Sequence, residues 1–188
     1  WGRKSCPSTA KLIYKGQMVG KEYRSVGGGT NYLCLPDDPQ YDLQHAFNNP
    51  GAGYHIFLRG TRYRGFGDSI TNRRVPCVAC ETNQRVNHIM IPAKTSCPSS
   101  DWTLEYKGFI MSMAEHNGQG DSDVFRDVLY ATSYVCVDSD PETLSDYAPF
   151  NEGSLIYLVG ADCTGIGALR NCPPYKQGPA LPCVVCSK

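Results

Sequence analysis

The 188-residue sequence predicts an all-β fold with short helical turns, stapled by disulfides and built as a tandem repeat with pseudo-two-fold symmetry. Three observations carry that prediction. A cysteine framework occurs twice in the same order, with Cys6, Cys34, Cys77 and Cys80 matching Cys97, Cys136, Cys183 and Cys186. Gly and Pro, at 19 and 13 residues, are too frequent for long helices, because Gly adds backbone freedom and Pro breaks the helical ladder. Twelve Tyr and six Phe supply apolar bulk with a preference for strands.

The first repeat is expected over 1–90 and the second over 91–188, packed together as one unit. Each opens at a Cys-Pro step, Cys6-Pro7 and Cys97-Pro98. A strand over Leu12-Ile13-Tyr14-Lys15-Gly16 has its match in Leu104-Glu105-Tyr106-Lys107-Gly108. Thr103 to Lys107 alternates polar and apolar residues, as a half-buried strand does. Gly27-Gly28-Gly29 predicts a loop ahead of the strand at Tyr32-Leu33-Cys34-Leu35, which is echoed by Tyr134-Val135-Cys136-Val137. Asp38-Pro39-Gln40-Tyr41 and Asp140-Pro141-Glu142-Thr143-Leu144 each suit a single helical turn.

Further along, Tyr54 to Gly60 aligns with Ser154 to Gly160. Leu155-Ile156-Tyr157-Leu158-Val159 is a continuous apolar run between Gly153 and Gly160, which reads as a fully buried strand. The second repeat carries an insertion over 116–131, in which residues 122–129 have helical spacing behind a Ser or Asp cap. At the junction, Val86-Asn87-His88-Ile89-Met90-Ile91 reads as a strand ending at Pro92, so the repeats are expected to share a sheet or interface. A unit of under about 100 residues buries little surface alone, and mutual burial with cross-links compensates.

Ten cysteines form an even set. Val75-Pro76-Cys77-Val78-Ala79-Cys80 and Leu181-Pro182-Cys183-Val184-Val185-Cys186 invite a zinc reading, but convergence of both pairs on one metal would leave the other anchors without a role. A redox Cys-X-X-Cys opens a helix in a βαβ setting, which the sequence lacks. Disulfides use every cysteine and place the chain in an oxidising compartment. The favoured scheme ties Cys6 and Cys34 each to one of Cys77 and Cys80, and Cys97 and Cys136 each to one of Cys183 and Cys186. Which member takes which partner is open, and Cys163 pairs with Cys172.

Lys plus Arg equals Asp plus Glu at 18 each, so charge points neither to nucleic acid nor to a membrane. No apolar run approaches the length of a bilayer span. Trp1 already opens the patterned sequence, as expected of a mature chain whose signal peptide has been removed. His45, His55, His88 and His116 belong to no hydrolase or metalloprotease motif, and phosphate loops and dinucleotide fingerprints are absent. Neither a catalytic set nor a cofactor or metal site is expected. Asp138-X-Asp140 with Glu142 resembles part of a calcium loop but suits a solvated turn better. Arg59, Arg62, Arg64, Arg73 and Arg74, with Tyr63 among them, form a basic cluster found only in the first repeat. These six residues are the candidate partner surface, suited to carboxylates, anionic polysaccharide such as sulfated glycans, or ionised silanols of silica.

Several of these segments resemble a known family. Trp1-Gly2-Arg3-Lys4-Ser5-Cys6-Pro7, Gly28-Gly29-Thr30-Asn31-Tyr32-Leu33-Cys34-Leu35-Pro36, Met90-Ile91-Pro92-Ala93, Trp102 to Gly108, Cys172-Pro173-Pro174-Tyr175 and both Pro-Cys-X-X-Cys clasps are similar to the short-chain collagen C4-like proteins of sponges and other marine invertebrates. The resemblance spans essentially the whole chain. It implies a secreted, disulfide-linked, non-collagenous domain of the extracellular matrix. No Gly-X-Y repeat occurs, so it does not extend to a triple helix. Within that family the chain looks like the silicatein partner of the axial filament in sponge glass spicules. That likeness implies a non-enzymatic scaffold linking silicatein into an ordered biosilica filament. A glycan-binding, lectin-like extracellular module is the alternative expectation.

Overall fold

Strands form where β-branched and aromatic residues run between Gly, Pro and Asp breaks. The computed structural model describes residues 1–23, 29–41, 58–113, 132–144, 153–164, 168–170 and 172–188. Its strands are β1 (Lys11–Gly20), β2 (Leu33–Pro36), β3 (Arg59–Arg64), β4 (Pro76–Glu81), β5 (His88–Pro92), β6 (Thr103–Ser112), β7 (Val135–Asp138), β8 (Ser154–Leu158) and β9 (Pro182–Ser187). All join one mixed sheet in the order β2-β1-β3-β8-β6-β9-β5, with β4 also on β1 and β7 also on β6. The all-β expectation therefore holds among the described residues. The proposed 122–129 helix, the loop at Gly27-Gly28 and the stretch Tyr54 to Phe57 lie outside them.

β1 pairs β4 over Lys11 to Gln17 and β3 at Val19 and Gly20, and holds β2 on its other edge. β6 pairs β9 over Thr103 to Phe109 and β8 at Met111 and Ser112, and holds β7 on its other edge. β3 and β8 join in parallel, from Thr61 opposite Ser154 to Arg64 opposite Tyr157. One sheet thus contains strands from both sides of the junction, and the junction strand β5 pairs β9.

Both long strands shift register near their start, β1 between Leu12 and Tyr14 and β6 between Leu104 and Tyr106. An extra residue in one strand turns the following side chains to the other face. The simple alternation expected over Thr103 to Lys107 therefore fails: Leu104 is 38% exposed, while the Glu105 side chain is only 5% exposed. Beyond the shift each long strand passes tightly under its neighbour. A Cβ at Gly16 would overlap the Leu35 carbonyl, and one at Gly108 would overlap the Val137 carbonyl.

The main core joins Met18, Tyr32, Tyr63 and Val75 to Met111, Val137 and Ile156. A smaller cluster holds Ile110, Cys136 and Cys183, with Met90, Tyr106 and Val185 packed against it. Each such aliphatic side chain, fully buried, contributes about 1.5–3 kcal/mol. The fully buried strand expected over Leu155 to Val159 forms only in part: β8 ends at Leu158, with Ser154, Leu155 and Ile156 buried and Tyr157 and Leu158 half-buried.

The helical turns expected at 38–41 and 140–144 do not form. In the second stretch the N–H groups are used elsewhere. Glu142 N–H donates to the Gly2 carbonyl (2.7 Å) and Leu144 N–H to the Arg74 carbonyl (3.0 Å). Asp138 N–H likewise donates to the Trp1 carbonyl (3.1 Å), so the N-terminal segment is strapped across the end of β7.

All ten cysteines are oxidised, as Cys6–Cys80, Cys34–Cys77, Cys97–Cys186, Cys136–Cys183 and Cys163–Cys172. The choice left open by the sequence is thereby made: the outer member of each clasp takes the cysteine of the Cys-Pro step. Neither Cys-X-X-Cys closes on itself; each of its cysteines pairs with an earlier one in the chain. Such a disulfide set belongs to an oxidising environment. No helix among the described residues is long and apolar enough to cross a membrane.

Candidate functional site

A cavity of about 640 Å³ opens between the β1–β4 and β6–β9 regions. Tyr14, Cys34, Val78, Ala79 and Cys80 line one side, and Glu105, Tyr106, Asp138 and Val185 the other. Trp1 and Arg3 reach it from the N-terminal segment, and His88 from the start of β5. Its volume is that of a small-ligand or side-chain pocket.

Most polar groups around the cavity already have partners. Tyr14 Oη donates to the Cys34 carbonyl (3.4 Å), and Tyr106 Oη to the Cys136 carbonyl (2.8 Å). Burial raises the Tyr106 pKa, with the nearby Asp138 charge adding to the effect, so this phenol stays a neutral donor. His88 Nε2 lies 2.8 Å from Thr82 Oγ1. Asp138 Oδ1 accepts the Asp140 N–H (2.9 Å), closing the turn expected there.

Glu105 is the most committed charge. Burial alone would push its pKa up, but hydrogen bonds from Ser187 and Thr9, together with the Arg85 guanidinium, hold it below the usual carboxylate range. Thr9 Oγ1 donates to Glu105 Oε2 at 2.6 Å, while Arg85 Nη2, at 3.1 Å, and Ser187 Oγ both donate to Oε1. Arg85 also donates to Ser187 Oγ and to the Thr9 carbonyl, both at 2.7 Å. A carboxylate so bonded is a structural tie between the Thr9 segment, β6 and β9. Arg3 meets Asp140 at 3.3 Å and Glu142 at 3.6 Å, an exposed set that contributes little to stability.

The predicted basic surface lies away from the cavity, on β3 and the turn after it. Arg62 and Arg74 are cross-strand neighbours. Arg62 Nη1 donates to the Asn72 carbonyl (3.0 Å), Arg74 Nη1 to Gln17 Oε1 (3.3 Å) and Arg73 Nε to the Ser69 carbonyl (2.9 Å). Arg59 is exposed and 3.9 Å from the Glu22 carboxylate, and Arg64 is half-buried at the end of β3. Tyr63 does not belong to this surface. It is 0% exposed, packs in the main core and donates to the Glu142 carbonyl (3.0 Å), because β3 alternates and Thr61 and Tyr63 point inward.

The cysteines Cys6, Cys34 and Cys80 line the cavity as disulfides. His45, His55 and His116 fall outside the described residues. Sequence reasoning missed Trp1, Arg85, Glu105 and the cavity tyrosines Tyr14, Tyr32 and Tyr106 as neighbours. The only signal was Glu105 aligning with Ile13 in the two similar strand motifs, a charge where the first motif has an aliphatic residue.

No family model matches the chain, and no curated protein and no solved structure matches it either.

Proposed function

We propose that the protein is a non-enzymatic extracellular scaffold, a tandem repeat with an approximate two-fold axis that links partner proteins into an ordered matrix or biosilica filament. Its motifs resemble those of actexilin, which makes silicatein the proposed partner and the spicule axial filament the proposed location. The observation that carries this reading is the doubled clasp. In each half a Cys-Pro cysteine binds the last cysteine, a mid-chain cysteine binds the one three residues before it, and a bulged long strand pairs the clasp strand. Exposed apolar residues sit beside each bulge, Leu12 with Ile13 and Leu104 with Ile89. Two similar contact surfaces on one cross-linked body are what an open assembly needs. The arginines of β3, unique to the first half, supply a further contact for carboxylate, silica or anionic polysaccharide.

The lectin alternative finds aromatic side chains in the cavity, but the hydroxyls and carboxylates there are bonded within the protein, which favours the scaffold. Gentle extraction from native material followed by mass spectrometry of co-eluting chains tests the proposal. Stoichiometric co-elution of silicatein or another matrix protein is expected. A lone chain that binds a glycan array and is displaced by a simple sugar would replace the scaffold with the lectin.

A further inference from the structure

The parallel seam between β3 and β8 sets Thr61 directly opposite Ser154. Both residues are 0% exposed. Side chains alternate between the faces of a strand, so these two share the face that carries Tyr63 and Ile156 into the main core. Among the described residues neither Thr61 Oγ1 nor Ser154 Oγ has a hydrogen-bond partner. Other buried hydroxyls of this region are bonded. Tyr32 Oη donates to the Leu155 carbonyl (2.9 Å), Tyr63 Oη donates to the Glu142 carbonyl (3.0 Å), and Ser112 Oγ lies 3.1 Å from Thr132 Oγ1. The two orphaned hydroxyls are thus not scattered; they face each other across one strand pair.

Removing a hydroxyl from water without giving it a partner is unfavourable, and native cores meet such groups with an ordered water that bonds two or more of them. Each hydroxyl here can donate once and also accept, so the pair can hold a water from both sides. The strand spacing suits this arrangement. Neighbouring strands lie about 4.8 Å apart. That is too far for a direct bond between facing oxygens, and a single water spans it with two hydrogen bonds of about 2.8 Å. Gly20 of β1 packs beside the pair. A Cβ there would stand 2.6 Å from Ser154 Oγ and 3.1 Å from Tyr32 Cδ1, so glycine keeps side-chain carbon off the Ser154 oxygen.

We infer that Thr61 Oγ1 and Ser154 Oγ form a buried binding site for one internal water molecule, which bridges β3 to β8 on the core face of the sheet. The site does not depend on the scaffold reading. Sliding one strand by a residue would turn its hydroxyl to the other face and lose the bridge. The water therefore fixes the register of the parallel seam, and with it the placing of Tyr63 opposite Ile156.

Oxygen-17 magnetic relaxation dispersion of the intact, oxidised protein tests the site, because it counts long-lived internal waters and is blind to hydroxyl protons. Wild type is compared with Thr61→Val, Ser154→Ala and their double variant, and with Thr61→Ser, which keeps the hydroxyl. The amplitude should fall by one water in every apolar variant and hold at the wild-type value in Thr61→Ser. The single variants carry the comparison if the double variant does not fold. Each single apolar variant should also lower the urea midpoint, since it strips the water of a partner. An amplitude that no apolar variant changes would overturn the site. Apolar single variants with raised midpoints would overturn it as well, because that is the response of hydroxyls that bind nothing. Lowered midpoints at constant amplitude would replace the water with a direct hydrogen bond between Thr61 and Ser154.

Discussion

At the scale of single residues, Glu105 and Tyr32 tie distant segments together. Glu105 takes hydrogen bonds from Thr9, Arg85 and Ser187, and its folded pKa lies below that of the unfolded chain. Its stabilisation is therefore complete above the ordinary Glu value near about 4.3 and is lost as pH falls through the lower folded value. Glu105→Gln should cost about 1–3 kcal/mol at neutral pH and flatten the loss of stability on the acid side. Thermal unfolding at a series of pH values, wild type against variant, checks both; parallel curves would deny Glu105 this role. Tyr32 Oη donates to the Leu155 carbonyl (2.9 Å) and accepts from Thr132 Oγ1 (3.2 Å), and burial pushes its pKa up to about 12. Tyr32→Phe should cost about 1 kcal/mol, read as a lower urea midpoint with an unchanged slope. Neither role was legible in the sequence, because both depend on which remote backbone comes to rest beside the side chain.

Among the strands, the sequence revealed existence better than detail. The apolar runs and their Gly and Pro borders located β2, β5, β7 and β8 closely, since those signals are local. The bulges in β1 and β6 were not legible, because an inserted residue leaves the composition unchanged while reversing the faces. Alignment set Gly60 against Gly160, whereas strand pairing puts Gly60 beside Val19 and Leu158 beside Met111. The two glycines at the tight crossings give a sharp test. Gly16→Ala and Gly108→Ala should each destabilise by about 1–3 kcal/mol, as overpacking against a neighbouring carbonyl does, in contrast to Gly29→Ala, where a Cβ meets open space. Denaturant unfolding of the three variants decides it. The disulfides should rank by loop length in the chain-entropy view. Removing Cys34–Cys77, with a separation of 43 residues, should cost about 4 kcal/mol, and removing Cys163–Cys172, with a separation of 9, about 3 kcal/mol. Calorimetry of the paired Cys→Ala variants measures the order.

For the molecule as a whole, the duplicated cysteine framework revealed more than any single motif. It anticipated an oxidising compartment and that two earlier cysteines tie back to each clasp, though not which takes which, and the strand at the junction anticipated a sheet or interface shared across it. What remained hidden was the site. The cavity is made by short segments spread from Trp1 to Val185, and the basic cluster that looked like a surface in sequence has Tyr63 buried. On the proposed scaffold role there is no catalytic signature to find, and the partner is read from assembly behaviour. The most direct measurement is therefore to mix the oxidised protein with purified silicatein and follow the mixture by light scattering and electron microscopy. The scaffold role predicts ordered assemblies containing both chains in fixed ratio, weakened when Ile13 and Leu104 are both changed to Asp. Two species that remain separate at every ratio, or silicatein filaments that exclude this protein, would contradict it.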